Sequence, residues 1–248
     1  MKVLGYPKKA MILSAGFGTR LKPYTDTVPK PLLTVGDKPM ILHCINMLRN
    51  NGIEEIVINL HYRGAMIREK LGTGGDYDVR IYYSDEPEIL GTGGGVKKAE
   101  KFFEGEAFVL INCDVLTRVN LKEVYDFHKS KNALSTLILR EKDTDKYNNI
   151  MADSELYIKD IAGRTRWHEK SFRVGMFAGI HILEPQILSF FPEGYSSITD
   201  RYVELIKQGV NLAGFFTESF WADLGNLEDY KKINKDIENG ALKLNDVL

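Results

Sequence analysis

Short apolar runs alternate with amphipathic segments along the first half of the chain, and this alternation restricts the fold class more than any other feature. Five runs rich in apolar, often β-branched residues predict buried strands: AMIL (10–13), EIVINL (55–60), VRIYYS (79–84), AFVLIN (107–112) and ALSTLIL (133–139). Between them, PMILHCINMLRNNG (39–52) and AMIREKLG (65–72) show helical spacing and end at glycine. Strands joined by crossover helices predict an α/β fold with a mainly parallel central sheet and helices on both faces.

The second half of the chain carries a less regular pattern. Residues 147–175 contain polar, aromatic-containing strand candidates, and order returns at MFAGIHIL (176–183), a helix near 200–209, NLAGFF (211–216) and a helix from about Leu227. We therefore predict a single domain over 1–248, in which 147–175 is a small β-rich insertion bordering the ligand site. Chain order alone does not distinguish such an insertion from a small second domain.

The charged residues almost cancel, since 33 Lys and Arg against 34 Asp and Glu give a formal charge of -1. A general polyanion-binding surface is therefore not expected, which argues against a nucleic-acid partner and restricts any anion site to a local one. Cys44 and Cys113 both lie in apolar runs. This favours buried thiols in a reducing compartment over a disulfide or a zinc cluster.

The chain shows no pattern of a membrane protein. Gly5 and Pro7 interrupt the N-terminal apolar residues before a signal-peptide core could form. Apolar runs also stay well short of the ~20 residues that a membrane helix needs. We expect a soluble cytoplasmic protein with no membrane partner.

Residues 14–33, SAGFGTRLKPYTDTVPKPLL, form a long, cationic, non-periodic segment directly after the first predicted strand. The segment fits neither the Walker A pattern G-x-x-x-x-G-K-S/T nor the dinucleotide pattern G-x-G-x-x-G. Glycine backbone can nevertheless wrap an anion, and Arg20 can bind phosphate oxygens through two nitrogens. Pro29 and Pro31 hold Lys30 on a stiff arm. Long loops that contain apolar residues are more often functional than disordered, so we predict a local phosphate-binding loop.

The same segment carries a family signature. LSAGFGTRL (13–21), then Pro23 and PKPL (29–32), is similar to L-A-A-G-x-G-T-R-L-x-P-L-T followed by P-K-P-L. That pattern belongs to the sugar-1-phosphate nucleotidyltransferases, also called nucleoside-diphosphate-sugar pyrophosphorylases. The resemblance implies a Rossmann-like nucleotidyltransferase fold, in which Arg20 and Lys30 act catalytically on the phosphates of a nucleoside triphosphate.

A second glycine-rich stretch, LGTGGG (90–95), is similar to the family's L-G-T-A-G-A segment, whose backbone contacts the base and ribose. Taken alone, the glycine run fits equally well a flexible turn that enters a helix at VKKAEKFF (96–103). Its triple glycine most resembles the N-acetylmuramate-1-phosphate uridylyltransferase branch. By resemblance, the nucleotide-binding residues are Leu13, Ala15, Gly16, Gly18, Thr19, Gly91 and Thr92.

Two aspartates match the positions at which the family holds a catalytic metal ion. Asp114 closes the predicted strand FVLINCD (108–114), although the family more often has glycine where this chain has Cys113. Asp223 lies in FWADLG (220–225), which resembles the family's W-x-D-x-G-T segment. The resemblance implies that Asp114 and Asp223 bind Mg2+, with Mn2+ able to substitute.

The sugar end of the site matches the family less closely. EKS (169–171) resembles the family's E-K-P, and FAG (177–179) resembles its N-A-G. A charged pair in a polar segment is equally typical of solvated surface. The resemblance implies that Glu169, Lys170 and Gly179 bind the sugar phosphate, on the insertion side of the domain.

The implied reaction is transfer of a nucleotidyl group from a nucleoside triphosphate, with UTP favoured, to a sugar-1-phosphate. Three alternatives stay open: guanylyl transfer to mannose- or heptose-1-phosphate, a glycosyltransferase, and a non-catalytic regulator that binds a nucleotide or sugar phosphate. A glycosyltransferase would typically show D-x-D where this chain has DVL (114–116). The resemblance covers nearly the whole chain and leaves no room for the C-terminal β-helical domain of some relatives. The sequence does not indicate the oligomeric state.

Overall fold

The computed structural model describes residues 6–142, 144–165, 167 and 172–244. The strands are β1 Lys9–Leu13, β2 Thr34–Val35, β3 Lys38–Pro39, β4 Glu55–Leu60, β5 Arg80–Asp85, β6 Phe108–Asn112, β7 Val115–Thr117, β8 Ser135–Arg140, β9 Asn149–Ala152, β10 Ile158–Ile161, β11 Arg173–Leu183, β12 Leu212–Phe216 and β13 Trp221–Asp223. The helices are α1 Met40–Asn50, α2 Gly64–Leu71, α3 Gly91–Lys98, α4 Leu121–Lys131, α5 Ile198–Lys207 and α6 Leu227–Glu238. The five strands predicted in the first half are all present. Within the described part of the chain, none of these helices is long and apolar enough to span a bilayer.

The chain divides into two compact units, each assembled from separate stretches of sequence. The loop unit, named after the segment 14–33, comprises Lys8–Ile89, Ile111–Val119 and 219–244. The α5 unit comprises Leu90–Leu110 and Asn120–Glu218, together with Tyr6 and Pro7. The single-domain organisation stays a prediction.

In the loop unit, β1, β4 and β5 run parallel, with Met11 opposite Val57 and Val57 opposite Tyr82. β1 also neighbours β6, whose last two residues belong to this unit. Strands covered on both faces need continuous apolar sequence, and β1 and β4 are buried almost throughout. The carboxyl ends of parallel strands share one edge, and the segment 14–33 begins at that edge, as predicted.

A buried cluster anchors the segment 14–33 and the chain that follows it. The cluster consists of Leu21, Leu33, Val35, Met40, Leu116, Leu224 and Tyr230. Two side chains of α6 form hydrogen bonds with the backbone that follows the segment. Tyr230 Oη donates to Thr34 O at 2.7 Å, and the Gly36 N–H donates to Asn234 Oδ1 at 2.9 Å. Helix α6 therefore holds the far end of the segment in place.

In the α5 unit, β8 pairs antiparallel with β11 and parallel with β12. β9 pairs antiparallel with both β11 and β10. The mainly parallel arrangement thus describes the loop unit, whereas the region 147–175 adds antiparallel strands. A short connection explains the difference, because β9 and β10 are joined by a turn in which the Tyr157 N–H donates to Asp153 Oδ1 at 2.9 Å. Connections this short join antiparallel strands, whereas parallel strands need a long crossover.

Helix α3 begins at Gly91, so the glycine run lies inside the helix and the predicted turn before a helix at 96–103 is wrong. The reason is close contact with the segment that precedes α5. The N–H groups of Gly93 and Gly94 both donate to Ser196 O, at 2.8 and 3.3 Å. A Cβ on Gly93 would lie 2.6 Å from Ser196 Oγ. Glycine is required here because the two backbones touch.

Both cysteines are buried and free, as the sequence predicted. Cys44 Sγ donates to Cys113 O at 3.4 Å. Burial raises the pKa of both thiols above the ordinary value, that of Cys113 to about 12. Neither thiol is therefore poised to react as a thiolate near neutral pH.

Candidate active site

The segment 14–33 is a loop without α-helix. It contains three single 3-10 turns, Thr19–Leu21, Tyr24–Asp26 and Lys30–Leu32. Thr25 ties the first turn to the second, because its Oγ1 donates to Gly18 O at 2.9 Å. Gly18 has a φ of +66°, and a Cβ there would lie 2.9 Å from Thr25 Cγ2 and 3.0 Å from Lys30 Cβ. The fold therefore needs glycine at position 18 both for its backbone conformation and for its close contacts.

The opposite side of the loop is open. A Cβ on Gly16 would meet no atom within 4 Å, and Phe17, between the two glycines, is 45% exposed. Backbone N–H groups in such an open, glycine-flanked bend can approach an anion without steric hindrance. The loop combines a fixed base with an accessible tip.

Lys30 forms an ion pair with Asp114, although the sequence assigned Lys30 to phosphates alone. Both side chains are largely buried, and a buried charge is stable only beside a partner, which explains the pairing. Burial alone would lower the pKa of Lys30, but the Asp114 charge and hydrogen bond, together with the charge of Asp223, raise it above the ordinary value. Lys30 is therefore a cation throughout the physiological pH range.

Three predicted residues converge around Gly225, and the fourth, Lys30, is joined to them through its ion pair with Asp114. A Cβ at that position would lie 2.8 Å from Asp223 Oδ1, 2.9 Å from Asp114 Oδ2 and 3.1 Å from Arg20 Nη2. The pairing of β13 with β7 sets Asp223 opposite Val115, next to Asp114. Asp223 is also oriented locally, because its Oδ1 accepts the Gly225 N–H at 2.7 Å. Arg20, Lys30, Asp114 and Asp223 thus share one small charged space.

The donor set of this space suits a hard divalent cation. Two carboxylates face the position that a side chain at Gly225 would fill, and carboxylate oxygens are the protein ligands that Mg2+ prefers. Among the residues that the structure describes, no group of three or more His, Cys, Asp or Glu could hold a metal ion. A cation here would therefore take its remaining ligands from water or from phosphate oxygens, as Mg2+ at phosphate-transfer sites does.

Leu13, Ala15 and Thr19 lie in the loop unit, at the end of β1 and at the start of the loop. The remaining predicted ligand residues lie in the α5 unit or outside the described residues. Thr92 Oγ1 accepts the Ile198 N–H at 3.0 Å and so serves the start of α5. Gly91 has a φ of +69°. Gly179, with a φ of +78°, lies in β11 where its register against β8 shifts. Glu169 and Lys170 lie outside the described residues.

Sequence interpretation missed two polar residues at the strand ends of the loop unit. Asn59 Oδ1 accepts the Ser14 N–H at 2.7 Å, and Asn59 Nδ2 donates to Glu86 Oε1 at 2.7 Å. The signal was present, since Asn59 is the only polar residue in the otherwise apolar stretch IVINL (56–60). An amide inside a buried strand needs partners, and here one partner, Ser14, begins the loop, while the other, Glu86, follows β5.

Comparison with known proteins identifies the family of this chain. Residues 9–240 match the family model described as nucleotidyl transferase. The chain is 36% identical over 228 residues to the mannose-1-phosphate guanyltransferase of Saccharomyces cerevisiae, covering 90% of this chain and 62% of the relative. It is 29% identical over 238 residues to the UTP–glucose-1-phosphate uridylyltransferase of Synechocystis, covering 90% of this chain and 61% of that protein. The chain thus spans less than two thirds of the length of these curated relatives.

The fold is also shared with solved structures. The crystal structure of HddC from Yersinia pseudotuberculosis superposes with a TM-score of 0.77 at 25% identity, covering 93% of this chain and all of the other. The family model covers nearly all of the chain, including both proposed carboxylates and the glycine-rich loop. This protein therefore belongs to the nucleotidyl transferase family.

Proposed function

We propose that this chain transfers a nucleotidyl group from a nucleoside triphosphate to a sugar-1-phosphate and releases pyrophosphate. The observation that carries the proposal is the convergence of Arg20, Asp114 and Asp223 at Gly225, with Lys30 paired to Asp114. Charge neutralisation at phosphorus is what this reaction demands of a protein, because phosphoryl chemistry depends on positioning and electrostatics. Family membership supports the same reaction class.

The proposed step is an in-line displacement. An oxygen of the sugar-1-phosphate forms a bond to the α-phosphorus, and the bond from that phosphorus to the bridging oxygen of pyrophosphate breaks. The attacking phosphate has a second pKa of ~6 and is mostly deprotonated near neutral pH, so no protein base is needed. Arg20 would bind phosphate oxygens through its guanidinium, and Lys30 would neutralise charge that develops on the α-phosphate and on the leaving pyrophosphate.

We propose Mg2+ as the metal, held by Asp114 and Asp223, with Mn2+ able to substitute. When bound, it would supply Lewis-acid stabilisation of phosphate charge. The Gly225 N–H would keep the Asp223 carboxylate aimed at the ion. Lys30 now contacts Asp114, so it would share or leave that carboxylate when the cation binds. Excess EDTA should stop the reaction, and full activity in EDTA would remove these roles from both aspartates.

Two nucleotides are candidates, and each has its own support. UTP is favoured by the resemblance of GTGGG (91–95) to one uridylyltransferase branch, with an N-acetylated or simple hexose-1-phosphate as acceptor. GTP with mannose-1-phosphate is favoured by the similarity to fungal mannose-1-phosphate guanyltransferases, which reaches 36% identity. The contact of Gly93 and Gly94 with Ser196 gives these glycines a structural use that does not depend on the base.

The experiment is a pyrophosphate-release assay that crosses UTP, GTP, CTP and dTTP with a panel of hexose- and heptose-1-phosphates. We expect release only when both substrates and a divalent cation are present, and the highest kcat/KM with UTP. A preference for GTP in competition would overturn the uridylyl assignment and leave the transferase standing. Binding of either substrate with no pyrophosphate from any pair would instead favour the non-catalytic regulator.

The compartment proposed from the sequence is the cytoplasm. Two free, buried thiols suit a reducing environment, where cysteines do not form disulfides. Fractionation of the native host with an antibody against this chain would test the assignment, and recovery with an exported fraction would contradict it.

A further inference from the structure

We infer that Glu86 is a positioning residue that fixes the first peptide of the 14–33 loop by setting the orientation of the Asn59 amide. Three buried residues form the relay: Ser14, Asn59 and Glu86 are each 3% exposed. The Ser14 N–H donates to Asn59 Oδ1 at 2.7 Å, and Asn59 Nδ2 donates to Glu86 Oε1 at 2.7 Å. The inference rests on the proposed function, because it assigns the loop to nucleotide binding.

The direction of the relay follows from the chemistry of its ends. A primary amide can turn its oxygen or its nitrogen toward a neighbour, since the two ends are nearly the same size. The Ser14 N–H can only donate, and Glu86 Oε1 is the acceptor in its contact with Asn59. The single arrangement that satisfies both is the observed one, with Asn59 Oδ1 toward Ser14. Glu86 therefore selects the orientation in which Asn59 holds the loop.

Glu86 is itself fixed to the end of β4, which gives the relay a rigid base. Its N–H donates to Leu60 O at 2.7 Å. Its carbonyl oxygen accepts the His61 Nδ1–H at 2.8 Å. The His61 ring in turn meets the ring of Phe17 edge to face, with the centroids 5.4 Å apart. Glu86 thus reaches the loop at two points, its first residue through Asn59 and its exposed tip through His61.

The consequence for function concerns the nucleotide and not the sugar phosphate. The open N–H groups of the loop tip lie within four residues of Ser14, so a displaced first peptide would misalign them. Loss of the relay should therefore weaken triphosphate binding, while the chemistry at Asp114 and Asp223 is left in place. A purely structural role would instead lower thermal stability without separating the two substrates.

The first test measures hydrogen exchange at the Ser14 amide in the ligand-free protein, which needs no assumption about activity. We expect Glu86→Ala to speed this exchange at least about tenfold, the scale for one buried hydrogen bond. Glu86→Gln should restore protection, because its side-chain oxygen still accepts from Asn59. The matched control is Ser135→Ala, which removes another buried hydrogen bond, to Tyr202 Oη at 3.1 Å in the α5 unit, and should leave Ser14 unchanged. An unchanged exchange rate in E86A, or no restoration in E86Q, overturns the proposal.

A second pair of variants leaves the side-chain sizes almost unchanged and exchanges the amide and the carboxylate between positions 59 and 86. Asn59→Asp alone sets two carboxylates together, so Ser14 exchange should rise. Combined with Glu86→Gln, it should return to the wild-type rate, because the introduced amide donates to the introduced carboxylate, which still accepts the Ser14 N–H. Equal exchange in the single and double variants would contradict the relay.

The kinetic readout is the KM for the triphosphate against the KM for the sugar phosphate. E86A should raise the former about tenfold and change kcat and the latter less than twofold. Equal shifts in both KM values would contradict the inference. If the wild-type chain released no pyrophosphate with any substrate pair, the proposed function would fail, and the exchange measurements would still decide the relay.

Discussion

Two sets of glycines, one in each unit, serve opposite purposes. In the loop unit, Gly16 faces open space and Gly225 lies among three charged side-chain ends. In the α5 unit, a Cβ on Gly91 or Gly93 would lie 2.6 Å from Ser196 O or Oγ, respectively, and one on Gly94 would collide with the backbone oxygen of Gly194. The first set leaves space at the candidate site, and the second lets two stretches of backbone touch. Glycine-rich sequence alone therefore does not identify a ligand-binding loop.

The largest effect on activity is expected at the cations of the loop unit, where the candidate site lies. Arg20→Ala should lower kcat at least about a hundredfold, the scale for one preorganised charge donor, with no change in thermal stability. Arg20 is exposed in a loop, so the core does not depend on it. Lys22→Ala is the matched control, because its ammonium lies in the same loop and pairs with exposed Asp26, 3.3 Å away. Steady-state kinetics that show equal losses in both variants would remove the assignment of Arg20.

Lys30→Ala should lower kcat by a similar factor and, unlike Arg20→Ala, should also lower stability. The substitution strands the buried Asp114 carboxylate, which costs about 1–3 kcal/mol. A divalent cation should restore much of that stability, because it replaces the lost positive charge. Thermal melts with and without Mg2+ check this, and a melting temperature insensitive to both the substitution and the metal would contradict the ion pair.

Gly225→Ala should damage the site and spare the fold. The atoms that its Cβ would crowd are the movable ends of Asp223, Asp114 and Arg20, so they can shift at little cost to stability. Their displacement should weaken Mn2+ binding and activity by about 10–100-fold, as loss of metal-orienting groups does. Electron paramagnetic resonance titration of Mn2+ measures the binding. Gly75→Ala is the control, because a Cβ there meets nothing within 4 Å, and equal affinities in the two variants would sink the idea.

Gly94→Ala should destabilise the fold and leave the candidate site intact. Its Cβ would collide with backbone at Gly194, which cannot rotate away as a side chain can. Overpacking of this kind costs about 1–3 kcal/mol, so the free energy of unfolding should fall while Mn2+ affinity stays at the wild-type value. Urea denaturation with a parallel Mn2+ titration gives both numbers. A stable variant with impaired metal binding would erase the distinction between the two glycine sets.

Acid pH should lower the stability of the α5 unit through His181, a residue outside the proposed site. Burial lowers the pKa of His181 to about 3, against an ordinary value near 6.5. Between these values the unfolded chain binds a proton that the folded chain does not, so stability falls as the pH falls. We expect about 2 kcal/mol of loss between pH 7 and pH 5 from this residue. His181→Gln should flatten that part of the urea-midpoint profile, and an identical profile would contradict the assignment.

Periodicity predicted the strands and helices because it reports local burial along each element, and the strand ends located the loop. The family signature then identified Arg20, Lys30, Asp114 and Asp223, which the fold brings together. Contacts between distant residues were not predictable in the same way. The Lys30 pairing with Asp114 and the contact of Gly94 with Gly194 each join segments that no local pattern relates. The start of α3 was misjudged for that reason, since glycine lowers helix propensity unless a tertiary contact requires it.

The contacts between α6 and the end of the loop have a consequence for the timing of synthesis. Tyr230 and Thr34 are 196 positions apart in the chain, and Asp223 is made almost as late. At translation rates of ~5–20 residues per second, Arg20 and Lys30 are added to the chain roughly 10–40 seconds before Asp223. A growing chain thus carries a cationic loop that lacks both its α6 anchor and Asp223, the second of the two proposed metal ligands. The complete candidate site is therefore one of the last features to form, because its last members are supplied near the end of synthesis.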